Sequence, residues 1–182
     1  DEEHFPDLTK NFTGFSASLG TVYNISDRMN LRLNMARGFR APTVSELCSN
    51  GVHEGSVQYE LGNEALHPEL STQIDLGMDY TSHVVSFRSS LFTNWISNYV
   101  FLSRIAKVIV PGYRSYRYQQ GDARLMGGEV SVDVHPINAL HIENTFSYVR
   151  GIQLHQTPEA HNLPMMPAPR WTADVRYDFP DF

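Results

Sequence analysis

Along residues 28–39 the chain alternates with a period of two. Met29, Leu31, Leu33, Met35 and Phe39 fall on one side, and Arg28, Asn30, Arg32, Asn34 and Gly38 on the other. The rhythm returns in residues 70–80, where Leu70, Thr72, Ile74, Leu76, Met78 and Tyr80 oppose Ser71, Gln73, Asp75, Gly77 and Asp79. It returns again in residues 126–134, where Met126, Val130, Val132 and Val134 oppose Glu129, Ser131 and Asp133. Strands with one greasy and one wet face belong to an antiparallel sheet, because parallel strands covered on both sides read as continuous apolar runs. Extended along the chain, the pattern predicts strands near 12–23, 28–39, 70–81, 84–102, 113–135, 139–150 and 170–178.

The connections carry a second pattern. Residues 24–27, 82–83 and 136–138 are tight turns built from Asn, Asp, Ser or Pro. Residues 40–69, 103–112 and 151–169 are long. Successive antiparallel strands reverse direction, so the tight turns share one edge of the sheet and the long loops the other. That asymmetry is the mark of outer-membrane β-barrels, with short periplasmic turns and long extracellular loops. Strand length agrees, since a membrane strand needs roughly 9–11 residues and two of these strands exceed it. Aromatics agree as well: Trp95, Tyr99 and Phe101 share a face by parity, Tyr113, Tyr116 and Tyr118 open the next strand, and Trp171 and Tyr177 share a face near the end. A soluble β-sandwich would use the same aromatics as core.

Composition narrows the partners. The 182 residues are 41% hydrophobic and 12% aromatic, so the chain can pack a folded domain. A net charge of −6, with no Lys/Arg-rich run, argues against nucleic acid. Cys48 is alone, which excludes an intrachain disulfide. No basic-apolar leader stands at Asp1, and the uncharged stretch at residues 89–103 is too short and too rich in Ser, Thr and Asn for a spanning helix. The chain is therefore soluble or meets lipid as strands. No nucleophile elbow, His-Glu-x-x-His pair or phosphate-cradling loop is present, so no enzyme is expected.

The long segment after residue 37 is specific. It runs Gly38-Phe39-Arg40-Ala41-Pro42, Glu46-Leu47, Gly51-Val52-His53-Glu54-Gly55, Tyr59-Glu60-Leu61-Gly62-Asn63, Leu66 and Pro68-Glu69-Leu70-Ser71. In that order and spacing it resembles the TonB-dependent outer-membrane receptor family, where a strand rises into a large extracellular loop and the next descends. Weaker echoes follow in Gly127-Gly128-Glu129 and in the segment from Leu163 to Arg170. The residues also read without the family. Pro42 ends the ladder. Arg40 sits at the rim, where its guanidinium forks onto Glu46 or an anionic ligand. Gly51, Gly55 and Gly62 offer positive φ for a loop that folds back on itself.

The resemblance implies an all-β, antiparallel up-and-down meander of about seven strands, a partial transmembrane β-barrel without a plug domain. Complete members carry a plug inside a barrel of roughly 22 strands. The implied protein lies in the bacterial outer membrane among lipid. It captures a scarce nutrient, and TonB, through the plug of the parent protein, drives passage. An iron complex, siderophore or heme, is the first expectation, with free metal, cobalamin or a glycan as others. No cofactor is required; heme or metal enters as cargo. With seven strands the open edges invite self-association of the piece. Two other readings stay open: a surface β-sheet module binding glycan or protein without transport, and a passive porin.

The expected capture loop comprises Arg40, Glu46, His53, Glu54, Tyr59, Glu60 and Asn63. Some heme receptors of the family carry a Phe-Arg-Ala-Pro box, a histidine and an Asn-Pro-Asp-Leu-type box. Here Phe39-Arg40-Ala41-Pro42 matches the first, His53 takes the histidine's place, and Asn63-Glu64-Ala65-Leu66 stands at the third without its proline. His53 is thus a candidate ligand for heme iron or zinc, or a loop residue with internal hydrogen bonds. His155, Glu159 and His161 form a second candidate metal group, although Pro158 forbids a regular helix there. His4, His67, His83, His135 and His141 form no constellation by spacing.

Overall fold

The computed structural model describes residues 8–53, 55–155 and 161–179. Its framework is an antiparallel meander of seven strands: β1 (Ala17–Ser26), β2 (Met29–Arg40), β5 (Glu69–Thr81), β6 (Val85–Arg104), β7 (Arg114–Ile137), β8 (Leu140–Gln153) and β9 (Arg170–Tyr177). Two short strands lie in the long connection after β2, β3 (Asn50–His53) and β4 (Gln58–Leu61), preceded by one helix, α1 (Val44–Cys48). Among the described residues there is no plug region, and no helix is long and apolar enough to cross a membrane.

Register carries the two faces across the whole sheet, because residues directly opposite in a ladder share a side. Leu33 pairs with Leu76 and Leu76 with Leu91, an apolar row over three strands. One position along, Arg32 pairs with Gly77, and beside it Asn34 pairs with Asp75. Further across, Arg88 opposes Ser131, Asp133 opposes Glu143, and Glu143 opposes Asp174. Arg32 and Arg88 both reach Asp79, at 3.0 and 3.1 Å, binding the polar face laterally.

The greasy face lies open. Leu33, Leu76 and Leu91 are 42%, 47% and 53% exposed, and Leu19, Phe146, Trp171 and Val175 join them. A sandwich would cover this face with a second sheet; here no described element does. A sheet with this much bare apolar surface is matched to hydrocarbon rather than water. The buried apolar residues, Leu47, Tyr59, Leu66, Ile96, Val100, Ala123, Ile152 and Leu163, lie instead toward the edge that bears the long loops.

Several local expectations shift. The first strand begins at Ala17, not near residue 12; residues 8–16 are irregular, and Leu8 and Phe12 pack on the loop cluster around Leu66. The last tight turn falls at Asn138–Ala139, because β7 runs through Pro136 with a register shift between Val134 and Ile137. In β6 a bulge between Ile96 and Tyr99, with Asn98 at φ 59°, puts one extra residue opposite β7. Trp95 then faces Arg124 while Tyr99 faces Gly121, positions of opposite parity, so Trp95 does not share a face with Tyr99 and Phe101.

Candidate functional site

The long connection between β2 and β5 is a folded cap, not an open loop. Pro42 stops β2, and Thr43 caps α1: its Oγ1 accepts the Glu46 amide at 3.2 Å while Glu46 Oε2 accepts the Thr43 amide at 2.7 Å. This reciprocal box satisfies two amides that a helix start leaves unpaired. The same Glu46 carboxylate takes both hydrogen bonds offered by Arg40 Nη1, at 2.9 and 3.0 Å. Arg40 Nε and Nη2 meanwhile hold both oxygens of Glu69, at 2.8 and 2.6 Å. One guanidinium therefore ties the end of β2 to the helix and to the start of β5.

The electrostatics follow. Glu69 foremost, working against burial and helped by Glu46, raises the Arg40 guanidinium above its ordinary value. Burial pushes the Glu46 carboxyl up, but the hydrogen bonds from Arg40 and Thr43 outweigh it and hold the group below the ordinary carboxylate range.

Behind this clamp Leu47, Leu66 and Val100 form a small core, with Leu66 only 2% exposed and Cys48 and Tyr118 packed against it. The chain returns along the helix end. Gly62 donates to Ser49 O at 2.6 Å and Asn63 to Glu46 O at 2.9 Å. A Cβ on Gly62 would stand 2.4 Å from Leu47 O, so glycine is required there by close approach. Positive φ is not what Gly51, Gly55 and Gly62 contribute, contrary to expectation; that conformation falls to Val57 at φ 52° in the β3–β4 connection and to Gly112 at φ 88°.

β4 then runs parallel to the upper part of β7, Gln58 opposite Arg114 through Leu61 opposite Arg117. Tyr59 is buried and donates to Asn50 Oδ1 at 2.8 Å. Tyr118 donates to Glu60 Oε2 at 3.1 Å, and burial, with the Glu60 charge beside it, pushes its hydroxyl up to about 12. Asn63 Nδ2 donates to Tyr118 O at 3.1 Å. Farther along, Gln120 accepts the His67 amide at 2.8 Å and donates to Asn98 O at 2.9 Å, while Asn98 Nδ2 donates to Pro68 O at 3.2 Å.

Of the residues expected to capture ligand, Arg40, Glu46, Tyr59, Glu60 and Asn63 are brought together and engaged with one another or with the sheet. They build the cap. His53 is exposed at the end of β3, with Nδ1 3.0 Å from Ser56 Oγ. Glu54 lies outside the described residues. Between helix and hairpin an open depression of about 420 Å³ is bordered by Cys48, Asn50, Glu64 and Arg117. A smaller one, about 190 Å³, is bordered by Ser49, Val52, His53 and Glu60. In the second candidate group, His155 stands at φ 61° after β8, and the His161 carbonyl accepts the Gln153 amide at 2.7 Å. Glu159 lies outside the described residues.

Sequence reasoning passed over Glu69, Asn98, Tyr118 and Gln120, which the cap uses. The signal for Glu69 was register: it stands opposite Arg40 once β2 and β5 are paired. It also dismissed His135 and His141, whose rings meet at 4.5 Å.

Known proteins share this architecture. The copper transporter OprC superposes with a TM-score of 0.74 over 91% of this chain and 24% of its own, at 21% identity. The siderophore receptor PirA from Acinetobacter baumannii gives 0.69 over 97% of this chain and 28% of its own, at 20% identity. In sequence, the hemoglobin and hemoglobin-haptoglobin-binding protein A of Haemophilus influenzae is 25% identical over 94% of this chain, which spans 17% of that protein's length. The chain thus spans 17–28% of the length of these relatives. The model of the family described as TonB dependent receptor-like, beta-barrel, matches residues 2–182, and the chain belongs to that family of outer-membrane receptor barrels, which are transporters and not enzymes.

Proposed function

We propose that the parent protein captures a scarce nutrient at the cell surface and passes it inward under TonB control, with an iron complex, siderophore or heme, as cargo. This chain supplies barrel wall and capture surface. The observation that carries the reading is the cap itself: a loop of nearly thirty residues folded by the Arg40 clamp over the loop edge of a sheet whose apolar face is bare. A passive porin has no use for so much ordered structure at that position, and a soluble binding module would not leave that face open. The loop edge is then extracellular and the tight-turn edge periplasmic. In the whole receptor the free edges of β1 and β9 pair with further strands; in the isolated piece they are open to self-association.

Because Arg40, Glu46, Tyr59, Glu60 and Asn63 are committed to the cap, they act on ligand by positioning. His53, with Glu54 next to it, supplies the contact. The Ser56 bond occupies His53 Nδ1, and Nε2 is then the nitrogen for heme iron or zinc. The hemoglobin-binding name of the Haemophilus relative supports heme as cargo. His155, Glu159 and His161 form a second metal-binding group in the loop after β8.

The test is uptake by the complete receptor in its outer membrane, using labelled heme, a ferric siderophore and zinc, with and without TonB. Heme uptake that needs both TonB and His53 supports the full reading. Uptake that ignores TonB for every cargo overturns transport in favour of a porin or surface binder. TonB-dependent uptake unaffected by His53→Ala moves the contact elsewhere on the loop edge.

A further inference from the structure

We propose that Asp133, His135 and His141 bind a divalent transition metal of the zinc or copper(II) class on the polar face of the sheet, at its tight-turn edge. One ligand atom from each of the three lies within 4.8 Å of the others. His135 Nε2 stands 3.2 Å from Asp133 Oδ2. Two donors each ~2.0–2.1 Å from a tetrahedral metal stand ~3.3 Å apart, so this pair already has the spacing of metal ligands. The two imidazoles meet edge to face, with centroids 4.5 Å apart and planes at 81°.

The fold brings them together in three steps. Alternation along β7 puts Asp133 and His135 on one side. The register shift between Val134 and Ile137 and the two-residue turn at Asn138–Ala139 then return the chain directly into β8. His141 is the second residue of that strand and faces Arg176 of β9.

A second observation points to a missing partner. Among the described residues, five buried polar atoms lack a hydrogen bond, and two of them, His135 Nδ1 and Asp133 Oδ1, belong to this cluster. Leaving such groups unpaired is costly; a cation held at His135 Nε2 takes up Asp133 Oδ1 through bidentate carboxylate coordination, whereas His135 Nδ1, on the other side of the ring, still needs a partner of its own. The side chains are 22%, 30% and 24% exposed for His135, Asp133 and His141, enclosed enough to lose water yet open to entry. Asp178 Oδ2 lies 3.3 Å from His141 Nε2, either as a fourth donor or as the carboxylate that orients the ring. The surrounding charge favours a cation: Glu143 opposes Asp133 and Asp174 opposes Glu143, while the neighbouring guanidiniums are already engaged, Arg176 by Asp178 at 3.3 Å and Arg88 by Asp79 at 3.1 Å. Two imidazoles with carboxylate select zinc, copper or nickel over calcium and magnesium, which take oxygen shells.

The site lies at the opposite edge of the sheet from the cap, so its failure leaves the receptor reading untouched. The test uses the complete receptor in detergent, stripped of metal and carrying His53→Ala, His155→Ala and His161→Ala to silence the loop histidines. It is titrated with zinc by calorimetry and loaded with one equivalent of copper(II) for electron paramagnetic resonance. His135→Ala and His141→Ala are each expected to weaken zinc at least tenfold, and each to remove one nitrogen coupling from the copper spectrum. Folding is verified by the mobility of unboiled protein on gels; His135→Gln and His141→Gln, which keep volume and polarity, replace any alanine variant that misfolds. Zinc affinity within twofold of the parent in folded variants, or a copper spectrum without imidazole nitrogen, overturns the site.

Discussion

Arg40 and Glu69 stand directly opposite one another as the last pair of the β2–β5 ladder, with Nη2 2.6 Å from Oε1, and the remaining arm of the same guanidinium holds Glu46. The pair is where sheet ends and cap begins. Truncating Arg40 leaves two half-buried carboxylates facing each other with no cation between them.

Arg40→Ala is therefore expected to loosen the cap by about 1–2 kcal/mol, roughly a tenfold rise in its opening. Limited proteolysis of the folded receptor within residues 41–68 reads this directly. Arg40→Lys, which keeps the charge but not the fork, recovers only part. Cleavage unchanged from wild type would mean that the hydrophobic cluster around Leu66 holds the cap alone.

Acid acts on the same clamp. Because Glu46 is held below the ordinary carboxylate range in the folded cap, its contribution is fully present above about pH 4.5 and is lost as pH falls through its lowered value. Hydrogen exchange at the Leu47 and Asn63 amides is expected to show protection that is steady near neutrality and falls in acid, after correction for intrinsic exchange. In Glu46→Gln the protection is weaker throughout and its acid step is reduced. An equal acid step in that variant would assign the titration to another group.

Two glycines of the cap make opposite demands. Gly62→Ala places a methyl group against the Leu47 carbonyl, 2.4 Å away, and is expected to cost about 1–3 kcal/mol of cap stability. Gly51→Ala meets nothing within 4 Å and is expected to be neutral. Exchange protection in the cap, measured for both variants, checks the pair. Equal behaviour would contradict the close return of the chain along α1.

The face assignment has its own test. Leu76 sits in the middle of the bare apolar row, whereas Asp75 beside it points to the polar face. Leu76→Arg is expected to cost about 2–4 kcal/mol in the folded barrel in lipid. Asp75→Asn, which keeps a polar group toward Asn34 and Gln73, is expected to cost under about 1 kcal/mol. Folded fraction in urea titrations against lipid vesicles measures both. A tolerated arginine at position 76 would mean that this face does not meet hydrocarbon.

Strand alternation, the first two tight turns and the motif of the long connection were legible from residue order alone, because each depends on neighbours a few positions apart. A period of two decides which side chains share a face whatever the rest of the chain does. Pro42 likewise ends a strand locally, whereas the helix that Thr43 and Glu46 start was passed over although its capping signal is local.

The remainder was decided by tertiary structure. Nothing near Gln58–Leu61 announces that it will run parallel to β7, more than fifty residues away; those hydrogen bonds exist only after β6 and β7 have extended beyond the sheet. The bulge at Asn98 reversed the parity of Tyr99 and Phe101 against Trp95, since one inserted residue swaps faces for everything after it. His135 and His141 look like unrelated turn residues in sequence and become a constellation through a register shift. Residue order by itself determined which surfaces are apolar and where the chain turns. Which polar side chains would meet was decided by long-range pairing, where a slip of one residue changes every partner.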